Sequence, residues 1–419
     1  MPFKRRVVIP AFILLLVLFV SSSVFGAERE RIRVLLIGHV VRSYNPVTTF
    51  LDPDPSVTYN IVPTSESNAI PLSDEEAKRY IKQYFPRDYE GLARYDFIMF
   101  SIPYIVPLTT KQISWLIGSV RNGDCSALTD QGGLRMDIEY AKFWVACGMS
   151  DLFANDAEKV LQSGKVIYSN GRYHLDVVRG SPHQVLAPLI PLGIEEIPAL
   201  GLFYSYPKEG ASVLAEADGS FPQFPGAPRR SPWLMYYEYG DGSTWTLCDN
   251  FVNPFWCGMY YGEVKGDLQT DVLMNIIWHS AGWSLPEDAF LVHKMRVEFK
   301  RYIDKRSMQV SLLEFVDRLG ARVAPVESVL ARADAAKAEA EDLYLRQDYQ
   351  ASSAQLSQAF ELLERAGELA LAEKKRTLMW IYVTEWLVVS ATLMACGVIA
   401  YTLMVRRRFY HEVSTTRIG

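Results

Sequence analysis

Hydrophobic positions along this chain fall into three regimes. From Arg31 to Ala281 short continuous apolar runs alternate with helical stretches, from Leu291 onward the period is helical, and near each end stands an uninterrupted apolar block. Arg31 to Val41 (RIRVLLIGHVV), a run around Val57 to Val62, Tyr95 to Ile102 (YDFIMFSI) and Cys125 to Thr129 read as strands of the doubly buried kind that populate parallel sheets. Between them, Ser73 followed by Asp74, Glu75 and Glu76 opens a helix to Tyr84. Thr109 or Thr110 caps another, which sets Ile113, Leu116, Ile117 and Val120 at helical spacing and ends at Gly123. This alternation predicts an α/β domain with a mostly parallel sheet and helices on both faces. Trp233 to Thr246 predicts an aromatic β-hairpin turning at Gly240-Asp241-Gly242, and Asp267 to Ala281 a closing helix.

The remainder predicts an all-α helical hairpin stalk followed by one C-terminal transmembrane helix. Pro325 starts an Ala-rich helix to about Arg346, and a turn at Gln347 leads into a second helix, Asp348 to Lys374. Leu343, Tyr344, Tyr349, Ala351, Leu356, Phe360 and Leu363 form the shared seam. Trp386 to Val405 carries no charge and, at about 1.5 Å per residue, spans about 30 Å as a helix. Trp380, Tyr382, Trp386 and Tyr401 stand where an aromatic belt would, and Arg406, Arg407 and Arg408 argue for a cytoplasmic C-terminus, although Lys374, Lys375 and Arg376 weaken that asymmetry. The tie is broken at the other end. There Lys4, Arg5 and Arg6, the run Val7 to Val20 and the small residues around Gly26 make the three parts of a secretory signal, with an uncleaved anchor as the alternative. The expected divisions are therefore 1–27 for the signal or anchor, 28–285 for the α/β domain, 286–376 for the stalk, 377–405 for the membrane helix and 406–419 for a basic cytoplasmic tail. The bulk of the chain is expected on the extracytoplasmic side of a cell membrane, as a single-pass protein.

Composition narrows the partners. Across 419 residues, 43 Lys and Arg against 48 Asp and Glu give a net charge of −5, with no basic field for nucleic acid. The expected partners are the lipid bilayer, through the C-terminal helix, and a membrane protein, through the stalk. Of the five cysteines, Cys396 falls in the membrane run, which leaves Cys125, Cys147, Cys248 and Cys257 in the exported part. The predicted strand starting at Cys125 and the helix ending at Cys147 bring both to one end of the sheet, so the expected disulfides are Cys125–Cys147 and Cys248–Cys257. The alternative is a set of reduced, buried thiols.

The stretch YDFIMFSIPYIVPLTTKQISWLIGSVRNGDCSALTDQGG resembles the class I glutamine amidotransferase-like superfamily, a flavodoxin-like α/β fold, over roughly residues 31 to 285. The resemblance implies that fold in a prokaryotic, archaeal-type membrane-anchored protein; it does not carry the catalysis. A catalytic member places a nucleophilic Cys in a Gly-x-Cys-x-Gly elbow and a later His-x-Glu, whereas the matching elbow here is Thr129, Asp130, Gln131, Gly132 and the nearest imitation of the second motif is His174, Leu175, Asp176. No Cys-His-Glu triad is present. Ligands of open α/β sheets gather at the carboxyl ends of the strands, which selects His39, Arg42, Tyr104, Asp130 and Gln131 as candidate ligand-binding residues. The competing reading makes Asp130 a cap and His39 a donor to a backbone carbonyl. No metal-ligand spacing and no cofactor motif is found, so neither a metal nor a cofactor is expected. The expected function is non-catalytic binding or assembly at the cell envelope. The alternatives are a hydrolase using the strand-end cleft and a saccharide-binding ectodomain using the rings of the hairpin, among them Trp233 and Trp256.

Overall fold

The computed structural model describes residues 30–39, 47–65, 72–130, 138–162, 168–196, 199–219, 229–249 and 268–415. The chain divides into two compact units, Met1–Lys300 with Glu341–Ser353, and Arg301–Ala340 with Ala354–Gly419.

The first unit is built on a nine-stranded sheet in the order β2-β1-β3-β4-β9-β8-β7-β5-β6. Its strands are β1 (Ile32–His39), β2 (Val57–Ser65), β3 (Phe97–Ser101), β4 (Ser126–Thr129), β5 (Tyr168–Val177), β6 (Ala199–Phe203), β7 (Ser212–Gly219), β8 (Arg230–Tyr239) and β9 (Gly242–Leu247). The half from β2 to β9 is parallel, as the continuous apolar runs predict, and the half from β9 to β6 is antiparallel. The sheet is therefore mixed, and its antiparallel half is an extension that the apolar runs alone do not announce. In β5 the signal is an alternation: Tyr173, Leu175 and Val177 are buried while His174 and Asp176 between them are exposed.

Helices α1 (Asp74–Tyr84), α2 (Thr110–Arg121) and α3 (Ile138–Ala146) follow successive strands. Ser73 caps α1 by accepting from the Glu76 amide, and Thr109 with Gln112 forms a full capping box on α2. Ile81, Ile113, Leu116, Val120, Tyr140 and Trp144 pack with Leu35, Ile37, Ile98, Phe100 and Ala127 of the sheet in one core. Each such side chain contributes about 1.5–3 kcal/mol by leaving water. The alternate positions Val34, Leu36, Phe97, Met99 and Leu128 are fully buried on the other face. Helix α4 (Gln269–Ser280) is buried from Gln269 to Trp278. The hairpin turn demands glycine, because a Cβ on Gly240, at φ +64°, would come within 2.3 Å of the Arg121 carbonyl oxygen.

Three long helices complete the chain: α5 (Ala289–Arg318), α6 (Ala324–Leu345) and α7 (Tyr349–Thr415). Gln347, at φ +62°, makes the turn between α6 and α7, where the Asp348 amide donates to the Leu343 carbonyl. Within the second unit Arg306 of α5 pairs with Asp334 of α6, Lys305 with Glu364 of α7, and the Tyr302 ring meets Phe360 edge-on at 5.7 Å. Helix α7 continues without a break through the uncharged run, where Trp386, Leu393, Met394, Val398 and Met404 are each more than 60% exposed. It is the one described helix long and apolar enough to cross a membrane.

Candidate functional site

Parallel strands β2, β1, β3, β4 and β9 end side by side. His39 is the last residue of β1, in register with Ser65 of β2; Tyr104 follows β3, and Asp130 follows β4. Arg42 and Gln131 lie outside the described residues. The fully buried Asp130 acts as a strut between strand ends: its Oδ1 accepts from the Ile102 amide at 2.6 Å, its Oδ2 from the Ser101 hydroxyl at 3.2 Å, and its own amide donates to the Phe100 carbonyl at 3.1 Å. The carboxylate holds a strained backbone. Ile102, a β-branched residue, sits at φ +47°, a conformation that costs about 1–2 kcal/mol. Its carbonyl accepts from the Ser65 hydroxyl at 2.7 Å, and the Tyr104 amide donates to Thr64 Oγ1 at 3.2 Å. Gly38 of β1 passes so close that a Cβ there would lie 1.9 Å from the Ser101 oxygen. Tyr104 reaches outward to donate to Asp74 at 3.1 Å and stacks on Tyr140.

A second acid ends the next parallel strand. Asp249, buried just past β9, accepts from the Tyr173 hydroxyl, which in turn accepts from Trp233 Nε1 at 3.1 Å. Nothing in its local sequence marks it except its place two residues after a buried strand. Trp233 and Trp245 of the hairpin are fully buried and Tyr236 nearly so, which makes these rings core. Phe251, Phe255, Trp256, Tyr260 and Tyr261 lie outside the described residues.

The expected disulfides are not formed at the described cysteines: Cys125, Cys147 and Cys248 are free thiols. The Cys125 thiol donates to the Ser119 hydroxyl at 3.3 Å and that of Cys147 to the Trp144 carbonyl at 3.4 Å, so each is turned toward its own neighbouring helix. Cys257, the expected partner of Cys248, lies outside the described residues. Burial pushes the Cys125 and Cys248 thiols up to about 12, which keeps both protonated at neutral pH and removes thiolate reactivity. Cys125 stands at the amino end of β4, away from the elbow position that a nucleophile would need.

The most heavily buried charges are elsewhere in this unit. Arg296 of α5, 2% exposed, donates through Nε to Asp54 at 2.7 Å and through Nη1 to Asp271 at 2.8 Å. Asp54 also accepts from the Tyr344 hydroxyl at 2.8 Å, and from the amide and hydroxyl of Ser56. Asp271 is 2.6 Å from His293 Nδ1. The guanidinium lies 4.8 Å above the Trp278 ring, whose Nε1 donates to Ser56. These groups come from positions up to 290 residues apart, and no motif links them in sequence. Two acids on one buried cation hold the Arg296 charge, and the arrangement joins α4, α5 and α6 to the loop before β2. Two open clefts among the described residues lie at the amino ends of the strands. One, of about 360 Å³, is lined by Arg33, Asn60, Tyr84, Arg94 and Tyr95; the other, of about 250 Å³, by Arg31, Asp96, Asp124, Ser126 and Trp283.

No family model matches this chain, and no curated protein does. Among solved structures it is similar to two cytoplasmic proteins of Salmonella typhimurium. STM3548 is 16% identical at a TM-score of 0.39, with 59% of this chain and 98% of that one covered. STM1381 is 15% identical at a TM-score of 0.42, with 59% and 99% covered. A beta-galactosidase from Rahnella sp. R3 is 11% identical at a TM-score of 0.31, with 65% of this chain and 35% of that one covered.

Proposed function

We propose that this chain is a membrane-anchored binding or assembly protein, with its α/β domain on the extracytoplasmic side of the envelope and its basic tail in the cytoplasm. The observation that carries the reading is α7, a single uninterrupted helix whose polar first part ends in an uncharged, exposed apolar stretch about 30 Å long, closed by Arg406, Arg407 and Arg408. The bilayer is the first partner, and the charged first half of α7 with α5 and α6 is the surface offered to a membrane protein. The amidotransferase-like resemblance belongs to the same reading, as a binding fold that lacks the elbow cysteine. Support for a non-catalytic role comes from the strand ends, where both oxygens of Asp130 are engaged in holding the backbone at Ser101 and Ile102.

The test is to assay the full chain in native membranes against esters, amides and glycosides, beside Asp130→Asn. The expected result is no turnover above that of membranes lacking the protein. Turnover by the unaltered chain that Asp130→Asn abolishes, with the circular dichroism spectrum retained, contradicts the reading and favours a strand-end hydrolase.

A further inference from the structure

We propose that His183 and His279 form a two-imidazole chelate for a divalent transition metal of the zinc type. Nδ1 of His183 faces Nε2 of His279 at 3.5 Å. That separation is longer than the ~2.7–3.2 Å of a well-formed hydrogen bond from a ring N–H. It is close to the roughly 3.4 Å that separates two imidazole nitrogens each about 2.0–2.1 Å from a tetrahedral zinc ion.

The two rings are held by the core. The His183 ring lies against Tyr236 with centroids 3.6 Å apart, His279 meets Trp245 edge-on at 5.5 Å, and Tyr236 meets Trp245 at 4.9 Å. Trp245 Nε1 donates to the Ser280 hydroxyl at 2.8 Å, which ties β9 to the end of α4. The loop carrying His183 is bound to the same helix, because Asn275 donates to the Val185 carbonyl at 2.9 Å. A site that needs no rearrangement of its ligands loses little entropy on binding.

The electrostatics suit a cation. Burial lowers the pKa of both imidazoles from the ordinary histidine value, and at His279 the neighbouring His183 lowers it further, which favours neutral nitrogens able to donate lone pairs. His279 stands in the last turn of α4, where the helix dipole favours positive charge. Glu238, exposed on β8 two positions from Tyr236, adds a negative charge that acts on His183. Both histidines are partly exposed, which leaves a path for the ion. Among the described residues no third His, Cys, Asp or Glu joins them in a cluster, so water completes the coordination and the metal is exchangeable. Nitrogen ligands select zinc, copper, nickel or cobalt over magnesium and calcium. The proposal stands independently of the membrane reading.

The experiment uses the full chain in detergent micelles, stripped with a chelator and titrated with Zn²⁺, with bound metal measured by equilibrium dialysis against free Zn²⁺ and Co²⁺ absorption as a second readout. The unaltered protein is expected to bind a stoichiometric equivalent and to give the absorption bands of nitrogen-ligated Co²⁺. His183→Phe and His279→Phe keep an aromatic ring against Tyr236 and Trp245 and are each expected to lose the metal. Glu238→Gln should weaken binding by less than either Phe variant, and His174→Ala, at an exposed position on β5, should bind as the unaltered chain does. Absence of bound metal in the unaltered protein overturns the proposal, as does binding undiminished in both Phe variants.

Discussion

At the residue scale, the buried acids Asp54, Asp130 and Asp271 are committed to holding the backbone and a buried cation. Arg296 shows this most sharply, since a guanidinium without water is tolerable only while Asp54 and Asp271 both face it. Arg296→Ala takes from the buried Asp54 and Asp271 the guanidinium they share and should cost about 3–5 kcal/mol, measured as the loss of unfolding free energy in urea. Arg296→Met with Asp54→Asn and Asp271→Asn removes the charges together and should recover most of that loss. The His183 and His279 pair sets a pH dependence of defined sign. Both are lowered in the fold from the ordinary value of 6.5, chiefly by burial, with Glu238 opposing at His183. The unfolded chain therefore binds more protons than the folded one in the window below 6.5. Their contribution to stability is fully present above 6.5 and is lost as pH falls through the lowered folded values. The melting temperature should drop across that window, and by less in His183→Phe. A fall of the same size in that variant would assign the acid sensitivity to other groups. Neither cluster was legible in the sequence, because each joins residues far apart in the chain: 96 positions separate His183 from His279. Asp130 was legible as a strand-end residue, but its engagement with Ser101 and Ile102 depends on the backbone bend at Ile102, which no local pattern announces.

At the element scale, periodicity carried the parallel half of the sheet and lost part of the antiparallel half. Strands β1, β3 and β4 are buried on both faces along most of their length and stand out as apolar runs, whereas β2, at the sheet edge, exposes Thr58 and Asn60. Strands β5 and β7 face water on one side, and their weaker alternation is interrupted by Gly171 in one and by acidic residues in the other. The hairpin of β8 and β9 was legible because its turn needs glycine against Arg121. The cysteine pairing failed for a related reason: sharing one end of a sheet is necessary for a disulfide, yet side-chain direction decides, and the Cys125 and Cys147 thiols turn to Ser119 and Trp144. Helix α7 makes its own prediction. An arginine at the centre of the apolar stretch costs about 2.5–3.5 kcal/mol on insertion, so Leu393→Arg should move a measurable fraction of the chain from the carbonate-resistant membrane pellet to the supernatant. Unchanged retention in the pellet would mean that this stretch does not span the bilayer.

At the scale of the whole molecule, the account rests on which side of the membrane the α/β domain occupies. Two of the three described cysteines of that domain give little background with an alkylating reagent in the folded state, because the Cys125 and Cys248 thiols are buried and held protonated, and the partly buried Cys147 is distinguished by its own peptide. The most direct measurement is labelling of intact cells with a membrane-impermeant maleimide, read by peptide mapping, on full chains carrying Ser114→Cys on the exposed side of α2 or Ser414→Cys in the tail. The account predicts that the cysteine at 114 labels in intact cells and that the one at 414 labels only after lysis. Labelling at 414 in intact cells, with 114 protected until lysis, would contradict it and place the α/β domain in the cytoplasm.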